Sequence, residues 1–297
     1  MILENAFIKI TDYLRYYDFN QAENVHLLNK SNDKVTNADI FCHDVIKDSI
    51  KDINYNIIGF ISEESPEIVF IKHHDISKKN YIIAFDPLDG SSNVNFNINS
   101  GSIWIIYEYD IHSKCLVDIV KAGYCLYGPS TILVETENDK VKMYTLNKNN
   151  KFIFKKNINF NTNLNNTEKI YSINQSNEYD KEVNYLIRSY NTLNYKQRWV
   201  GTMVADCHRI LTSNGIFIYT NSVKYPEGKI RLYYEGLPFA YIYKLAGGHG
   251  LNSGYKDLLN TFNSCKVNNV HITAGIILCS DHEYKKLNNI LEFYDID

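Results

Sequence analysis

YIIAFDPLDGSSN, at residues 81–93, is the stretch that decides how the chain folds, because an apolar run of strand length leads directly into an acidic turn. The run predicts a buried strand, and Asp86 and Asp89 follow at its carboxyl end, where α/β proteins place their ligands. Two carboxylates there suit Mg²⁺, which prefers oxygen ligands and keeps water and substrate phosphate around it. The Leu88 carbonyl between them is a further candidate ligand. The stretch therefore predicts an α/β protein with a divalent metal at a strand end.

The turn that follows, Gly90-Ser91-Ser92, presents successive backbone amides that can hold a phosphate oxygen. For a D-P-x-D string alone, an ordinary Asp-Pro turn closed by an Asx cap is the better explanation. The full string FDPLDGSSN, at residues 85–93, favours a metal and phosphate site over that alternative.

A second acidic pair, Glu63 and Glu64, ends the apolar run IIGFIS at residues 57–62. Adjacent glutamates usually belong to a solvated loop, but these two close a predicted strand in the same way as Asp86 does. We therefore expect the two strand ends to converge on one site. Four carboxylates in one place repel one another and become partly protonated unless cations neutralise them, so more than one divalent metal ion is expected.

Two cations and an acid lie close together in KIRLYYE, at residues 229–235. The pattern predicts an alternating strand over residues 229–234 that ends in Glu235 before the next helix. In such a strand Lys229 and Arg231 point to the same face, which suits a doubly phosphorylated substrate. Half-exposed strands often carry cations of this kind, so the pair alone does not identify a site.

The order of the predicted elements indicates a layered α/β fold. Two helices, the second capped by Asn37, precede a mainly β stretch, and helices and strands alternate in the second half of the chain. The Asn-rich segment 157–167 has little to bury and marks a boundary. We therefore expect an N-terminal domain at residues 1–165 that carries most of the metal ligands. A C-terminal domain at residues 166–297 would bind the sugar phosphate.

The composition excludes several classes of protein. A chain of 297 residues with 44% hydrophobic and 22% charged residues can bury a sizeable core. Its formal net charge of −3 gives no basic field, which argues against nucleic acid as a partner. The apolar runs have strand length and the N-terminal segment has no signal-peptide pattern, so we expect no membrane span and a cytoplasmic protein. The six cysteines include no C-x-x-C pair, which favours buried reduced thiols over zinc or disulfides.

Four blocks of sequence, in this order, resemble class I fructose-1,6-bisphosphatases: SEE at 62–64, FDPLDGSSN at 85–93, RWVGTMVAD at 198–206 and GKIRLYYE at 228–235. The likeness extends from about Asp33 to the C-terminus. It implies a five-layer αβαβα sandwich, and a homo-oligomer in the cytosol that is a tetramer or, as the alternative, a dimer. It also implies hydrolysis of the 1-phosphate of fructose 1,6-bisphosphate, which gives fructose 6-phosphate and phosphate in gluconeogenesis.

Carried over position by position, the resemblance implies a role for each of these side chains. The cofactor would be Mg²⁺, two or three ions per site, with Mn²⁺ as an alternative. The implied metal ligands are Glu63, Asp86, the Leu88 carbonyl, Asp89, Glu235 and an outer acid, Asp33. Asp39 and Glu64 resemble the pair that polarises the attacking water. The implied contacts to the transferred phosphoryl group are Ser91, Ser92 and Arg231, beside Gly90. Met203 would contact the sugar. The 6-phosphate would be bound by Asn174, Tyr219, Lys229 and a neighbouring subunit's Arg198.

The chain departs from the family pattern at two ligand sites, the 6-phosphate pocket and the AMP site. Trp199 stands where many members have a tyrosine on the 6-phosphate, and Asn177 stands at a second such tyrosine, although Tyr179 could substitute for it. Asn80 and Glu108 stand where AMP-regulated members have cations for the nucleotide phosphate. Because Glu108 would repel that phosphate, we expect no inhibition by AMP.

Other functions stay open on the sequence alone. Sedoheptulose 1,7-bisphosphate could be the only substrate or a second one, because the same metal centre serves both reactions. A role like that of inositol monophosphatase fits less well, since Tyr234-Glu235 replaces the aspartate-led motif of that branch. A catalytically silent sugar-phosphate sensor is the remote alternative, and it would typically have lost a ligand carboxylate that this chain keeps.

Overall fold

The structure, a computed structural model, describes residues 1–18, 24–28, 34–71, 78–160, 169–174, 179, 181–262, 267 and 269–294. Asp33, Asn177 and the expected boundary between residues 165 and 166 lie outside the described residues. Within these ranges, no helix is both long and apolar enough to cross a membrane.

Two helices form the first layer. They are α1 (Glu4–Arg15) and α2 (Asn37–Ser49), which a 3₁₀ turn (Ile50–Asp52) extends. A short antiparallel pair, β1 (Asn24–Leu28) and β2 (Lys34–Thr36), lies between them in sequence. The apolar stripes of the two helices pack together and against one face of the larger sheet.

The cap of α2 differs from the expected one. Asn37 is the first helical residue, and Thr36 is the N-cap. The Thr36 hydroxyl accepts a hydrogen bond from the Asp39 amide at 3.3 Å, while the Asp39 carboxylate accepts one from the Thr36 amide at 2.7 Å. This reciprocal capping box satisfies two amides at once, which a cap by Asn37 would not do.

Eight strands form the larger sheet. They are β3 (Ile57–Ser62), β4 (Val69–Phe70), β5 (Asn80–Asp89), β6 (Ser100–Asp110), β7 (Cys115–Tyr127), β8 (Ile132–Glu137), β9 (Lys140–Leu146) and β10 (Phe152–Ile158). Their order across the sheet is β10-β9-β8-β7-β6-β5-β3-β4. A short helix, α3 (Ser91–Val94), follows β5.

One pair in this sheet runs parallel. β3 and β5 are parallel neighbours and pair Ser62 with Phe85, whereas β5 and β6, like β6 and β7, are antiparallel. Because parallel strands end at the same edge, the residues that follow Ser62 and Phe85 lie side by side.

The smaller sheet has the order β12-β11-β13-β17-β15. Its strands are β11 (Ile170–Ile173), β12 (Lys196–Gln197), β13 (Ile216–Tyr219), β15 (Gly248–Asn252) and β17 (Ile276–Ser280). A separate antiparallel pair consists of β14 (Ile230–Arg231) and β16 (Thr273–Ala274).

Four helices complete the layers. They are α4 (Lys181–Thr192), α5 (Met203–Ser213), α6 (Leu237–Leu245) and α7 (Asp281–Tyr294). The buried residues of α5 and α6 share one core with both sheets, while those of α4 and α7 pack on the outer face of the smaller sheet. The order of layers is therefore α1/α2, larger sheet, α5/α6, smaller sheet, α4/α7, which confirms the expected αβαβα sandwich.

The expected strand over residues 229–234 is wrong except at Ile230 and Arg231, which form β14. A π-helical turn over Leu232–Gly236 leads from β14 into α6. Leu232, Tyr233 and Tyr234 are all buried, whereas a strand at the surface would bury only alternate residues. The backbone coils at this point because three consecutive large side chains must all reach the core.

Candidate active site

A cavity of ≈ 340 Å³ lies between the ends of β3 and β5, the first turn of α5 and the segment around β14. All the expected site residues in the described part of the chain line it, except Asn174 and Arg198. Those lining residues are Asp39, Glu63, Glu64, Asp86, Leu88, Asp89, Gly90, Ser91, Ser92, Met203, Tyr219, Lys229, Arg231 and Glu235. Trp199, Gly201, Phe217 and Ile230 complete the lining.

The parallel pair of strands brings the first acids together. The Glu63 amide donates to the Phe85 carbonyl at 3.3 Å, which extends the pairing of β3 and β5 by one residue. Glu63 therefore lies beside Asp86, close enough for the charge of its carboxylate to raise the pKa of the Asp86 carboxyl. Asp86 is only 1% exposed, and its carboxylate accepts from the Leu88 amide at 2.9 Å.

A bulge at the end of β5 directs a second aspartate to the same site. Opposite β6, Asp86 pairs with Ile103 and Asp89 pairs with Gly101, so three residue steps on β5 match two on β6. The extra residue turns the strand locally, which is how β-bulges re-aim side chains. Asp86 and Asp89 would otherwise point to opposite faces of the sheet.

The remaining acids are fixed by backbone amides. The Val204 amide, in the first turn of α5, donates to Asp89 Oδ2 at 2.6 Å. The Arg231 amide donates to Glu235 Oε2 at 2.5 Å across the π-helical turn. Both carboxylates are therefore held in position by backbone amides outside the larger sheet. Through these bonds, α5 and the segment before α6 contribute to the site at the strand ends.

The carboxyl groups of Glu63, Asp86, Asp89 and Glu235 are close enough for their charges to shift one another's pKa values. Burial raises the pKa of the Asp86 carboxyl well above its ordinary value, and the charges of Glu63, Asp89 and Glu235 raise it further. Burial also raises the pKa of Asp89 to about 7, although two backbone amides at the start of α5 lower it. Burial and the charge of Glu63 raise the pKa of Glu235 to about 8. At neutral pH some of these groups therefore hold protons that a bound cation would displace.

The donor set fits a hard divalent cation. All its side-chain donors are carboxylate oxygens, and the Leu88 carbonyl adds another oxygen, which is the chemistry that Mg²⁺ and Mn²⁺ prefer. Among the described residues, no group of three acidic, histidine or cysteine side chains encloses an ion by itself. Water and substrate oxygens would thus supply several of the ligands, as is usual for Mg²⁺ in phosphoryl-transfer sites.

Asp39 and Glu64 approach the cavity from two different elements. Asp39 is only 5% exposed at the start of α2, where its carboxylate accepts from Thr36. Burial raises the pKa of the Asp39 carboxyl, and hydrogen bonds from Thr36 and Ser91 lower it. The Glu64 amide donates to the Ser62 hydroxyl at 3.3 Å, which fixes the turn after β3. Both acids can therefore contact water beside Ser91.

Gly90 shapes the turn that carries the two serines. Its φ of 75° is left-handed, and a Cβ at this position would lie 2.4 Å from Thr202 Oγ1. The Thr202 hydroxyl donates to the Asn99 carbonyl at 2.7 Å and accepts from Asn93 Nδ2 at 2.6 Å. The turn is thus anchored on the segment before α5, and glycine is required for the close approach.

Two cations and two aromatic rings also line the cavity. They are Lys229, Arg231, Tyr219 and Trp199. The Trp199 ring stacks on Phe217, with 6.3 Å between centroids and 12° between planes, and lies 6.1 Å from the Tyr219 ring. Trp199 therefore belongs to the wall of the cavity, as the departure from the family pattern suggested.

Two expected residues lie outside the cavity. Asn174 donates from Nδ2 to the Tyr219 hydroxyl at 3.2 Å, so it orients a residue that lines the cavity without lining the cavity itself. Tyr179 donates in turn to the Asn174 carbonyl. Arg198 is exposed, and its guanidinium donates to the Gln197 carbonyl at 2.9 Å.

Asp206 is a site residue to which the sequence analysis gave no role. Its carboxylate accepts from the amides of Val200 and Gly201, each at 3.0 Å. It thereby fixes the loop that carries Trp199. The signal was present, because RWVGTMVAD places an acid in the first turn of a predicted helix, where a carboxylate can bind the free amides of the loop before it.

Comparisons with protein families give a consistent result. The model described as the N-terminal domain of fructose-1,6-bisphosphatase matches residues 18–157, and the C-terminal domain model matches residues 164–292. The class 1 fructose-1,6-bisphosphatase of Cytophaga hutchinsonii is 33% identical over 285 residues, which cover 89% of this chain and 79% of that protein. The class 1 enzyme of Campylobacter hominis is 32% identical and covers 95% of each chain.

Solved structures show the same likeness. The holo form of Leishmania major fructose-1,6-bisphosphatase superposes with a TM-score of 0.85 and 26% sequence identity, over 98% of this chain and 93% of that chain. The apo form of the same enzyme gives a TM-score of 0.79.

Proposed function

This chain belongs to the class I fructose-1,6-bisphosphatase family and hydrolyses fructose 1,6-bisphosphate, and we propose that the reaction depends on Mg²⁺ and releases the 1-phosphate. The observation that carries this proposal is the composition of one cavity. It combines the acids at the ends of two parallel strands with Lys229 and Arg231. The products would be fructose 6-phosphate and inorganic phosphate.

The carboxylate cluster would hold two or three Mg²⁺ ions. The proposed ligands are Glu63, Asp86, the Leu88 carbonyl, Asp89 and Glu235, supported by their shared position and by the raised pKa values of Asp86, Asp89 and Glu235. The ions, when bound, would neutralise the charge that develops on the transferred phosphoryl group.

Asp39 and Glu64 would orient the attacking water and accept its proton. Asp39 supports this role because its buried carboxylate is fixed by the capping box and lies within hydrogen-bond reach of Ser91. A carboxylate with a raised pKa is a better proton acceptor than one in free solution.

The turn from Gly90 to Ser92 would hold the phosphoryl oxygens through its amides and hydroxyls. Arg231 would add a guanidinium that can bind two oxygens at once. Because phosphoryl transfer passes through a loose transition state, these groups act by position and charge rather than by covalent chemistry.

Lys229 and Tyr219 would bind the 6-phosphate. Both line the cavity, and Asn174 orients the Tyr219 hydroxyl. The exposed Arg198 would serve the same phosphate on a neighbouring subunit, which requires a homo-oligomer, a tetramer or, as the alternative, a dimer. We further propose that the protein acts in the cytoplasm in gluconeogenesis.

A phosphate-release assay tests this function. Fructose 1,6-bisphosphate, sedoheptulose 1,7-bisphosphate and inositol 1-phosphate are compared with Mg²⁺, with Mn²⁺ and with a chelator. We expect turnover of the fructose bisphosphate that stops with the chelator and returns with Mg²⁺. Preferred turnover of the seven-carbon substrate would replace the substrate assignment, and no release from any substrate would support the silent sensor.

A further inference from the structure

A histidine outside the cavity joins the two halves of the acid cluster. The ring of His271 lies between the Ser65 carbonyl, 2.9 Å from Nε2, and the Tyr234 hydroxyl, 2.8 Å from Nδ1. Ser65 follows β3 of the larger sheet, whereas Tyr234 belongs to the π-helical turn that carries Glu235. His271 itself does not line the cavity, so any effect on the site passes through its neighbours.

Glu63 and Glu64 are the central residues of a tight turn, the acidic turn, which begins at Ser62 and ends at Ser65. The Ser65 amide closes this turn by donating to the Ser62 carbonyl at 3.1 Å. Because Ser65 is buried, its carbonyl needs a hydrogen-bond partner inside the protein. His271 is that partner, and it thereby fixes the last residue of the turn that carries both acids.

The backbone around His271 belongs to the other half of the cluster. The Leu232 amide, at the start of the π-helical turn, donates to the Ile272 carbonyl at 2.9 Å. Just beyond this bond, β16 pairs with β14. The histidine ring therefore extends from a segment that is joined to Glu235 towards the turn that carries Glu63.

The carbonyl of Ser65 determines which ring nitrogen carries a hydrogen. A carbonyl oxygen can only accept, so His271 Nε2 holds the hydrogen and donates it. In the neutral ring Nδ1 is then an acceptor, and the Tyr234 hydroxyl donates to it. Burial raises the pKa of Tyr234, and the charges of Glu63 and Glu235 raise it further, so this tyrosine lies near an acid from each half of the cluster.

A different bond fixes the π-helical turn on the larger sheet. The Tyr107 hydroxyl, on β6, donates to the Tyr233 carbonyl at 2.7 Å. This bond sets how close the π-helical turn comes to the sheet. The bond from His271 to Ser65 has another effect, because it ends on the acidic turn itself and so sets the position of the acids.

We propose that His271 is a positioning residue, which holds the acidic turn and Glu235 at the separation that divalent metal ions require. It acts through the Ser65 carbonyl and the Tyr234 hydroxyl, one from each half of the cluster. The inference rests on the metal dependence proposed for the reaction. Loss of a group that orients metal ligands typically lowers metal affinity or activity by about 10–100-fold.

Calorimetric titration of Mn²⁺ into the metal-free protein tests this role, because Mn²⁺ suits the same oxygen ligands. His271→Asn is too short to reach Ser65 and should raise the Kd for Mn²⁺ by roughly tenfold. His271→Gln can place an amide N–H where Nε2 now donates, and should raise the Kd by less than about threefold. A Kd that is unchanged in His271→Asn, or that rises equally in the two variants, would overturn the positioning role.

Two tyrosine variants separate the position of a lost bond from the loss of stability. Tyr234→Phe removes the hydroxyl that orients the His271 ring, and should raise the Kd for Mn²⁺ by about threefold. Tyr124→Phe removes an equally buried hydroxyl that lies 2.7 Å from His208 Nδ1 and does not line the cavity. Both should lower Tm by similar amounts, but Tyr124→Phe should keep the Kd. Equal values of Kd in these two variants would overturn the role, and this pair decides alone if His271→Asn does not fold.

Kinetics distinguish this inference from the function on which it rests. Turnover by the unchanged enzyme without any divalent metal would contradict the proposed function and the positioning role together. In His271→Asn, the Mg²⁺ concentration for half-maximal rate should rise by roughly tenfold. At saturating Mg²⁺ its KM for fructose 1,6-bisphosphate should change by less than about twofold, because the proposed 6-phosphate contacts are kept. A metal-dependent enzyme that needs the same Mg²⁺ concentration with and without His271→Asn would overturn the positioning role alone.

Discussion

Glu63 and Asp86 lie side by side, although they follow two different strands, because β3 and β5 are parallel. Two carboxylates so close together repel each other unless one of them holds a proton or a cation lies between them. Without a cation, the cluster is therefore a place where like charges oppose folding. The closeness of these two carboxyl groups determines how the removal of one acid should change the activity and the stability of the protein.

Glu63→Gln should lower kcat by at least ~10²-fold, the scale of one lost electrostatic stabiliser. The same change should raise Tm of the metal-free protein by about 2–4 °C, because the amide keeps the shape of the side chain while one repelling charge is gone. Steady-state assays and calorimetry measure the two effects. Glu67→Gln, at an exposed position of the same segment, should change neither. Near-normal turnover of a folded Glu63→Gln protein would sink the site assignment.

Mg²⁺ should raise Tm of the protein in proportion to the logarithm of its concentration above Kd, because a ligand that binds the folded state stabilises it. Differential scanning calorimetry after treatment with a chelator measures the shift. Asp86→Asn, which removes a charge from the centre of the cluster, should abolish most of it. An equal shift in Asp86→Asn would mean that the ions bind elsewhere.

The position of Arg198 predicts a role in the neighbouring subunit. Arg198→Ala should raise KM for the bisphosphate by roughly tenfold with a smaller effect on kcat, since the 6-phosphate is remote from the bond that breaks. Arg188→Ala, at an exposed position of α4, is the matched control and should leave KM unchanged.

A mixing experiment decides whether the arginine acts between subunits. Arg198→Ala and Glu63→Gln protomers, allowed to exchange subunits, should regain some sites with normal KM. Full activity of a dilute monomer, established by light scattering at the assay concentration, would remove the role altogether.

AMP should not inhibit the enzyme at physiological concentrations. Glu108 is paired with Lys79 at 2.7 Å, so the cation near this position is already neutralised. Asn80 is buried and accepts from Asn56 Nδ2 at 3.1 Å. Initial rates over a range of AMP concentrations, with inorganic phosphate as a positive control for product inhibition, measure the effect. Cooperative inhibition by AMP would contradict the interpretation of Asn80 and Glu108.

The stability of the fold should fall at mildly acidic pH because of His208. Burial lowers the pKa of His208 from 6.5 to about 4, and the charge of Lys156 adds to this effect. The unfolded chain therefore binds more protons between these two values, so the stabilisation present above pH 6.5 is lost as the pH falls towards 4. At pH 5 the loss relative to pH 7 should approach about 2 kcal/mol.

Urea unfolding at pH 7 and pH 5 measures this loss. His208→Gln can keep a hydrogen bond to the Tyr124 hydroxyl, which now lies 2.7 Å from His208 Nδ1, and should lose less stability between the two pH values than the unchanged protein. His112→Gln, at an exposed turn, should behave like the unchanged protein. Identical losses in all three proteins would show that other groups cause the pH dependence.

The strands and most of the site could be predicted because the signals are local. An apolar run followed by acids identifies a strand end, and the run at residues 57–62 is found as a strand with those bounds. The parallel pairing of β3 with β5 could not be derived from the runs themselves. It depends on which strands are neighbours, and it is what turns Glu63 and Asp86 into one cluster.

The errors arose where tertiary packing overrides a local pattern. Polar and apolar residues alternate like a strand from Lys229 to Leu232, but the need to bury the three consecutive large side chains after Arg231 coils the backbone. At the start of α7, the pattern S-x-x-E at residues 280–283 predicts a reciprocal capping box, but only half of it is present. Ser280 accepts from the Glu283 amide, while the Glu283 carboxylate accepts from the hydroxyls of Tyr190 and Tyr195. Those tyrosines are about 90 residues away in the sequence, so no local pattern could show them.

The shared middle layer has a consequence for synthesis on the ribosome. The larger sheet is complete at residue 158, but the helices that cover its inner face are α5 and α6, which end at residues 213 and 245. At roughly 5–20 residues per second, the nascent chain would expose that apolar face for about 4–17 s before α6 has been made. During this interval the unpaired edges and bare face of the sheet are open to aggregation. The chain is therefore most open to aggregation in the middle of its translation, before its second half can fold onto the first.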